Sequence, residues 1–207
     1  MARYTESWPT TGNPTAVAED LTWSQVTGTT HLNVSSAGVL TGTGNIADNE
    51  RIRAASDTEA PDQYATLVVS AVDAASQRGV GLCLRYSSSA DTCYACQIRS
   101  DTSPDQFQLV RFSGGISNTI TSFTSAGADF SVPFTLRFEV AGSQLRVLVN
   151  GSLVGSANDT NLAAGTRGGL WLTNPNSIVT VGAFEYGDLR EGRIVTSTAA
   201  VQRAASW

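Results

Sequence analysis

Apolar and polar residues alternate along most of this chain with a period of two. In PFTLRFEVAG, Phe134, Leu136, Phe138 and Val140 share one side, while Thr135, Arg137 and Glu139 share the other. The next apolar set, Leu145, Val147 and Val149, continues the same side. In GVGLCLRYS, Val80, Leu82, Leu84 and Tyr86 form the apolar side. Cys83 and Arg85 lie opposite, joined by Gln97 and Arg99 if the following hairpin is regular. Strands are predicted at 32–34, 38–41, 63–72, 79–86, 92–99, 106–112, 133–140, 145–149, 152–156, 168–173 and 178–186. Helical periodicity is nearly absent. Many short strands punctuated by Gly, Ser, Asn, Asp and Pro predict an all-β antiparallel sandwich or barrel.

Turn chemistry fixes some of the register. Asn150-Gly151 sits between two apolar runs, and a type I′ turn needs φ > 0 at both central residues. The implied pairs are Val149 with Ser152, Leu148 with Leu153, and Val147 with Val154. A turn at Gly142-Ser143 sets Glu139 opposite Arg146, an exposed ion pair worth roughly 0.2–1 kcal/mol. The predicted core is Val80, Leu82, Leu84, Phe134, Leu136, Phe138, Leu145, Val147, Val149 and Leu170.

The 207 residues suit one large all-β domain, with no boundary before about residue 190. The expected division is a domain at 1–190, opening on a short arm with turn residues, and a tail at 191–207 without strand alternation. The tail carries Ile194, Val201 and Trp207, an apolar set expected to contact a neighbouring subunit. No run of about 18 apolar residues exists, so no membrane is expected. The net charge of −5 argues against nucleic acid. All 13 basic residues are arginine, which excludes Schiff-base and P-loop lysine chemistry. The opening MARYTESWPTTGNP lacks an apolar signal core, and the cysteines number 3. Both features point to folding in a reducing cytoplasm.

Little in the sequence points to catalysis. His31, the single histidine, is predicted to face outward from a strand, with no marked nucleophile or acid partner. Cys93 and Cys96 have redox or zinc spacing, but residues three apart on a strand point to opposite faces. The three cysteines, Cys83, Cys93 and Cys96, are expected to be buried free thiols acting as small hydrophobes. The acidic cluster Asp57, Glu59 and Asp62 contains a proline and belongs to a loop.

The order of several motifs resembles a known family. FTLRFEVAGSQLRVLVNGSLVGS, GTRGGLWLTN and VTVGAFEYGDL resemble the second half of a concanavalin A-like, laminin-G-type jelly roll. ESWPTTG, LNVSSAGVLTG, PDQYATLVVSAV and GVGLCLRYSSSADTCYACQI resemble its first half, so the likeness covers about 4–189. The family includes lectins, glycan-binding modules, glucanases and bacteriophage virion proteins. Its glucanases carry Glu-x-Asp-x-x-Glu on one strand, because retention needs two carboxyl groups about 5–5.5 Å apart. That motif is missing here, so the chain is expected not to be an enzyme. Many members hold Ca2+ near a sheet edge; the corresponding oxygen ligands would be Asp188, Glu6, Asp57 and Asp62, and no other cofactor is expected. A glycan surface would use Trp171, opposite in parity to Leu170 and Leu172, beside Arg85, Gln97 and Arg99. The resemblance implies a structural protein of a phage virion: a capsid decoration, minor capsid or minor tail subunit. Such a protein folds in the host cytoplasm and sits on the virion surface as a homo-oligomer. It contacts major capsid or tail proteins and also surface glycans. The alternative is a carbohydrate-binding lectin-like module without a virion role.

Overall fold

The computed structural model describes residues 2–15, 20–27, 32–36, 38–42, 49–71, 79–99, 104–124, 131–173 and 180–189. His31 and the tail, with Ile194, Val201 and Trp207, lie outside them. In chain order the strands are β1 (Arg3–Glu6), β2 (Trp23–Thr27), β3 (Leu32–Ser36), β4 (Val39–Gly42) and β5 (Asn49–Ala54). There follow β6 (Gln63–Ala71), β7 (Gly79–Tyr86), β8 (Cys93–Arg99), β9 (Gln106–Ser113) and β10 (Ile116–Thr124). The last are β11 (Phe134–Ala141), β12 (Gln144–Val149), β13 (Ser152–Asn158), β14 (Arg167–Thr173) and β15 (Thr180–Asp188).

They form two antiparallel sheets. One has eight strands in the order β13-β12-β11-β6-β15-β4-β3, with β1 also on β15; the other has seven, β10-β9-β8-β7-β14-β5-β2. β15 pairs with β6 along one edge, while β4 and β1 share its other edge. The segment read as an arm is therefore built into the sheet. Its Trp8 is fully buried, stacks on Trp23 at 5.5 Å and donates its indole N–H to the Gly182 carbonyl at 2.7 Å. No helix among the described residues is long and apolar enough to cross a membrane.

Alternation places the core. Leu136, Phe138, Val140, Leu145 and Val147 of one sheet face Val80, Leu82, Leu84, Ile98 and Leu170 of the other, all fully buried. Every residue of the predicted core is there. Burial of each such side chain stabilises by roughly 1.5–3 kcal/mol, and their interdigitation joins the sheets into one sandwich.

The Asn150-Gly151 turn has φ of 49° and 80°, as a type I′ hairpin requires. Val149 meets Ser152 and Leu148 meets Leu153, but Val147 then meets Gly155 rather than Val154, because a bulge inserts one residue into β13. Glu139 does face Arg146, 3.5 Å away, yet the pair is not exposed. Arg137 also bonds Glu139 at 2.7 Å while its guanidinium lies 4.2 Å over the Tyr64 ring, and this cover buries the carboxylate.

One strand breaks its alternation. Arg85 sits at φ 50°, and β7 gains a residue against β14 between the pairs Cys83–Gly169 and Tyr86–Arg167. The bulge turns Arg85 toward the space between the sheets and Tyr86 onto the outer face. That reverses the faces predicted for both. Gly165, at φ 110°, makes the bulge tolerable: a Cβ there would lie 2.2 Å from the Arg85 carbonyl oxygen.

Candidate functional site

Two surfaces follow from this architecture: the outer face of the seven-stranded sheet, and a cleft where its β7–β8 connection meets the segment before β14.

On the outer face the register aligns Arg51, Trp171, Gly81, Gln97 and Gln108 in one row across five strands. Trp171 and Gln97 thus share this face, as expected from parity, and Arg99 opposite Gln106 lies on it too. Trp171 does not stand out as a platform. It is only 4% exposed and meets Phe112 edge-on, ring centroids 5.0 Å apart, above Cys83, Cys93, Ala95 and Val110. The Arg51 guanidinium lies 3.8 Å over Phe112 and bonds the Asp91 carboxylate through Nε at 3.0 Å and Nη2 at 2.5 Å. Tyr86 donates its hydroxyl to the same carboxylate at 2.7 Å. Burial alone would raise the Asp91 pKa, but the Arg51 and Tyr86 hydrogen bonds outweigh it and hold the carboxyl below its usual value.

The three thiols are free and buried. Cys93 lies in the outer cluster and Cys96 between the sheets, the opposite faces that their spacing predicts. Burial raises both pKa values, Cys93 further through its neighbour Cys83, so neither is a ready thiolate.

Arg85 is absent from the outer face and belongs to the cleft. Its Nε donates to the Pro61 carbonyl at 2.8 Å, Nη1 to the Leu162 carbonyl at 2.6 Å and Nη2 to Asp62 at 2.9 Å. The guanidinium ties 61–62 to 162 and forms the cleft floor. The far wall is pinned at both ends. Asp159 accepts from Tyr94 at 2.7 Å, Asn161 N at 2.8 Å and Arg111 at 2.6 Å. The Thr166 carbonyl accepts from Thr58 N at 2.7 Å, and Asp57 takes both Thr166 Oγ1 at 2.6 Å and the Arg167 fork at 3.0 and 3.1 Å.

Between these anchors lies a cleft of about 490 Å³ lined by Arg85, Ser87, Ser88, Thr92, Asn161, Leu162, Ala163, Ala164, Gly165 and Thr166. Its volume falls within the roughly 300–1,000 Å³ of small-molecule sites. Ser87 Oγ accepts from the Ser89 and Ala90 amides, and Thr92 Oγ1 from Gly114 N, which leaves each hydroxyl proton to donate. The lining holds hydroxyls, an amide, loop backbone and the Arg85 guanidinium, whose charge is paired with Asp62, but no carboxylate, so it offers mainly neutral hydrogen bonding and no acid–base pair. Of these residues only Arg85 is a candidate from the sequence, and there on the other face; the rest are missed because SSSADT and ANDTNLAAGT look like ordinary polar loops, and the signal lies in their meeting, which only the topology supplies.

The four oxygen ligands considered for Ca2+ do not converge. Glu6 accepts from Trp8 N at 2.8 Å, Leu21 N at 2.9 Å and Trp23 Nε1 at 3.0 Å. Asp188 accepts from the Ala2 and Ala60 amides, Asp62 from Arg85 and Gly142 N, and Asp57 from Thr166 and Arg167. Among the described residues no three of His, Cys, Asp and Glu gather as a metal site. Glu6 is a brace for the two stacked tryptophans.

No family model and no curated protein matches the sequence. Solved structures do match the fold. The chain is similar to the carbohydrate binding module CBM66 from Bacillus subtilis, with 17% identity over 80% of this chain and 92% of that one, TM-score 0.57. It is similar to a legume lectin-like domain from Entamoeba histolytica, with 13% identity over 81% and 90%, TM-score 0.58. It also resembles the Bacillus licheniformis beta-glucanase, with 13% identity over 92% and 99%, TM-score 0.56. The architecture is a concanavalin A-like jelly roll, a fold shared by lectin-like and enzymatic proteins.

Proposed function

We propose that this chain is a non-enzymatic, lectin-like module that binds neutral carbohydrate in the cleft beneath the 161–166 segment. The cleft carries the reading: hydroxyl and amide groups held on braced loops suit a ligand made of hydroxyl groups, and pre-ordered loops reduce the entropy lost on binding. The likeness of the fold to a carbohydrate binding module and to a legume lectin-like domain supports it. The outer face is the weaker location, since Trp171 is enclosed by Phe112 and Arg51. A glycan array decides. Wild type binds a neutral glycan, Ala164→Arg at the exposed cleft wall abolishes binding, and Trp171→Ala, if folded, retains it. No binding by wild type on a broad array sinks the reading; loss with Trp171→Ala alone moves the site to the outer face.

The narrower role on a phage virion surface, among capsid or tail proteins and copies of itself, rests on the motif resemblance. Co-sedimentation with assembled particles tests it; a chain found only in the soluble fraction excludes it.

A further inference from the structure

The polar surface of the cleft does not end at Asn161. That side chain donates its Nδ2 to both Asp159 oxygens, at 2.9 and 3.0 Å, which leaves its Oδ1 to accept. The same carboxylate takes Arg111 Nη1 at 2.6 Å, so Arg111 lies beside Asn161. A guanidinium carries five N–H donors, and Asp159 is the acceptor that Arg111 meets among the described residues. Asp159 therefore presents an acceptor and several donors side by side. A ligand hydroxyl, which both donates and accepts, matches that pairing.

Strands β9 and β10 continue the surface. Arg111 pairs with Asn118 and Ser113 with Ile116, in phase with Phe107 and Leu109 on the face turned toward the other sheet. The other sheet meets β10 further along, where a Cβ on Gly155 would lie 2.3 Å from the Phe123 ring. Toward the β9–β10 turn that cover is gone: Ser113 and Asn118 are exposed, and Ile116 is 70% exposed, more than any other large apolar side chain described. The turn is fastened to the cleft. Gly114 N donates to Thr92 Oγ1 at 3.1 Å and Gly115 N to the Asp91 carbonyl at 2.8 Å.

We propose that Arg111, Asn118 and Ile116 form a second sugar subsite continuous with the cleft, so that the ligand is a linear oligosaccharide which leaves the cleft past Asn161 and runs over the inward face of β10. The proposal rests on the carbohydrate reading of the cleft and names the length of ligand it takes. From Asn118 to Ile116 the strand adds about 7 Å of surface. Asn118 brings an amide whose Nδ2 is held only by the Ile116 carbonyl at 3.4 Å, a long bond that a hydroxyl can replace. Ile116 brings an apolar contact for the C–H groups of a sugar ring, and a ring laid on it takes exposed apolar surface out of water. The Arg111 charge is balanced by Asp159, so the subsite suits a neutral chain as the cleft does.

Calorimetric titration of the full chain with gluco-, manno-, galacto- and fructo-oligosaccharide ladders, from disaccharide to hexasaccharide, tests the subsite. In the series that wild type binds, affinity rises roughly 10-fold from disaccharide to tetrasaccharide, the scale of a few added hydrogen bonds. In Asn118→Ala and in Ile116→Asp the two affinities become equal. Both positions are exposed, so both variants melt as wild type does; if Ile116→Asp melts lower, Asn118→Ala decides alone. A wild-type affinity that does not change with length overturns the subsite, and so does a rise with length that survives the substitutions. Either result leaves the cleft as a site for a short ligand. A wild type that binds no ladder removes the cleft reading itself, and the subsite with it.

Discussion

The backbone N–H of Arg85 donates to Gln63 Oε1 at 2.6 Å, and with that one bond a bulge in one sheet is fastened to a strand of the other. Gln63 Nε2 also donates to Thr58 Oγ1 at 2.5 Å, which in turn reaches the Thr166 carbonyl at 2.9 Å. Gln63 is fully buried, so nothing else replaces these partners. Gln63→Leu strands the Arg85 amide and should cost about 1–3 kcal/mol in denaturant unfolding. It should also weaken glycan binding at the cleft. A variant as stable as wild type would mean that water repairs the site.

Phe138 tests the face assignment. It lies in the centre of the eight-stranded sheet, paired with Val147 and Ala65, and has no exposed surface. Phe138→Ala should destabilise by about 3–5 kcal/mol, the range for deleting a fully buried phenyl ring. A loss below about 1 kcal/mol would require the cavity to collapse almost completely.

Alternation made the core legible because period two is read directly from the order of residues, as Phe134 to Val140 and Leu145 to Val149 illustrate. Three kinds of feature escaped it. β2, β5 and β10 went unseen: β2 because its two apolar residues, Trp23 and Val26, fall on opposite faces and leave no alternation, β5 because Glu50, Arg51 and Arg53 read as a charged loop, and β10 because its Ser and Thr residues lie at an exposed sheet edge. The bulges at Arg85 and Val154 carry no sequence mark, since one inserted residue reverses a face without altering composition. Side-chain direction was the third. Glu6 has the oxygen chemistry of a calcium ligand, but its oxygens are turned toward three N–H donors. The cleft joins residues about 70 positions apart, so no local pattern could show it.

Those carboxylate partners predict the response to calcium. Each candidate ligand would have to release amide or guanidinium donors before binding an ion. Millimolar CaCl2 and excess chelator should therefore leave the melting temperature unchanged. A rise in calcium that vanishes in Glu6→Gln or Asp188→Asn would reinstate a site. Glu6→Gln should itself destabilise by about 1–3 kcal/mol, because an amide cannot accept from all three N–H groups.

Acid should release the Arg51–Asp91–Tyr86 group. The Asp91 carboxyl is partly buried, which favours its neutral form, but hydrogen bonds from Arg51 and Tyr86 favour the anion more and depress its pKa. In the unfolded chain the carboxyl titrates near about 3.9. The stabilisation it supplies is therefore fully present above that value and is lost as pH falls through the lower, folded pKa. Asp57 and Asp159 are depressed as well and add to the trend, Asp57 chiefly through its Arg167 and Thr166 hydrogen bonds. Melting temperature should fall steadily from about pH 5 to pH 2. Asp91→Asn removes one contributor, so it should melt well below wild type at pH 7, with the gap narrowing toward pH 2. A gap that stays constant across that range would show that Asp91 acts by packing and not by its charge.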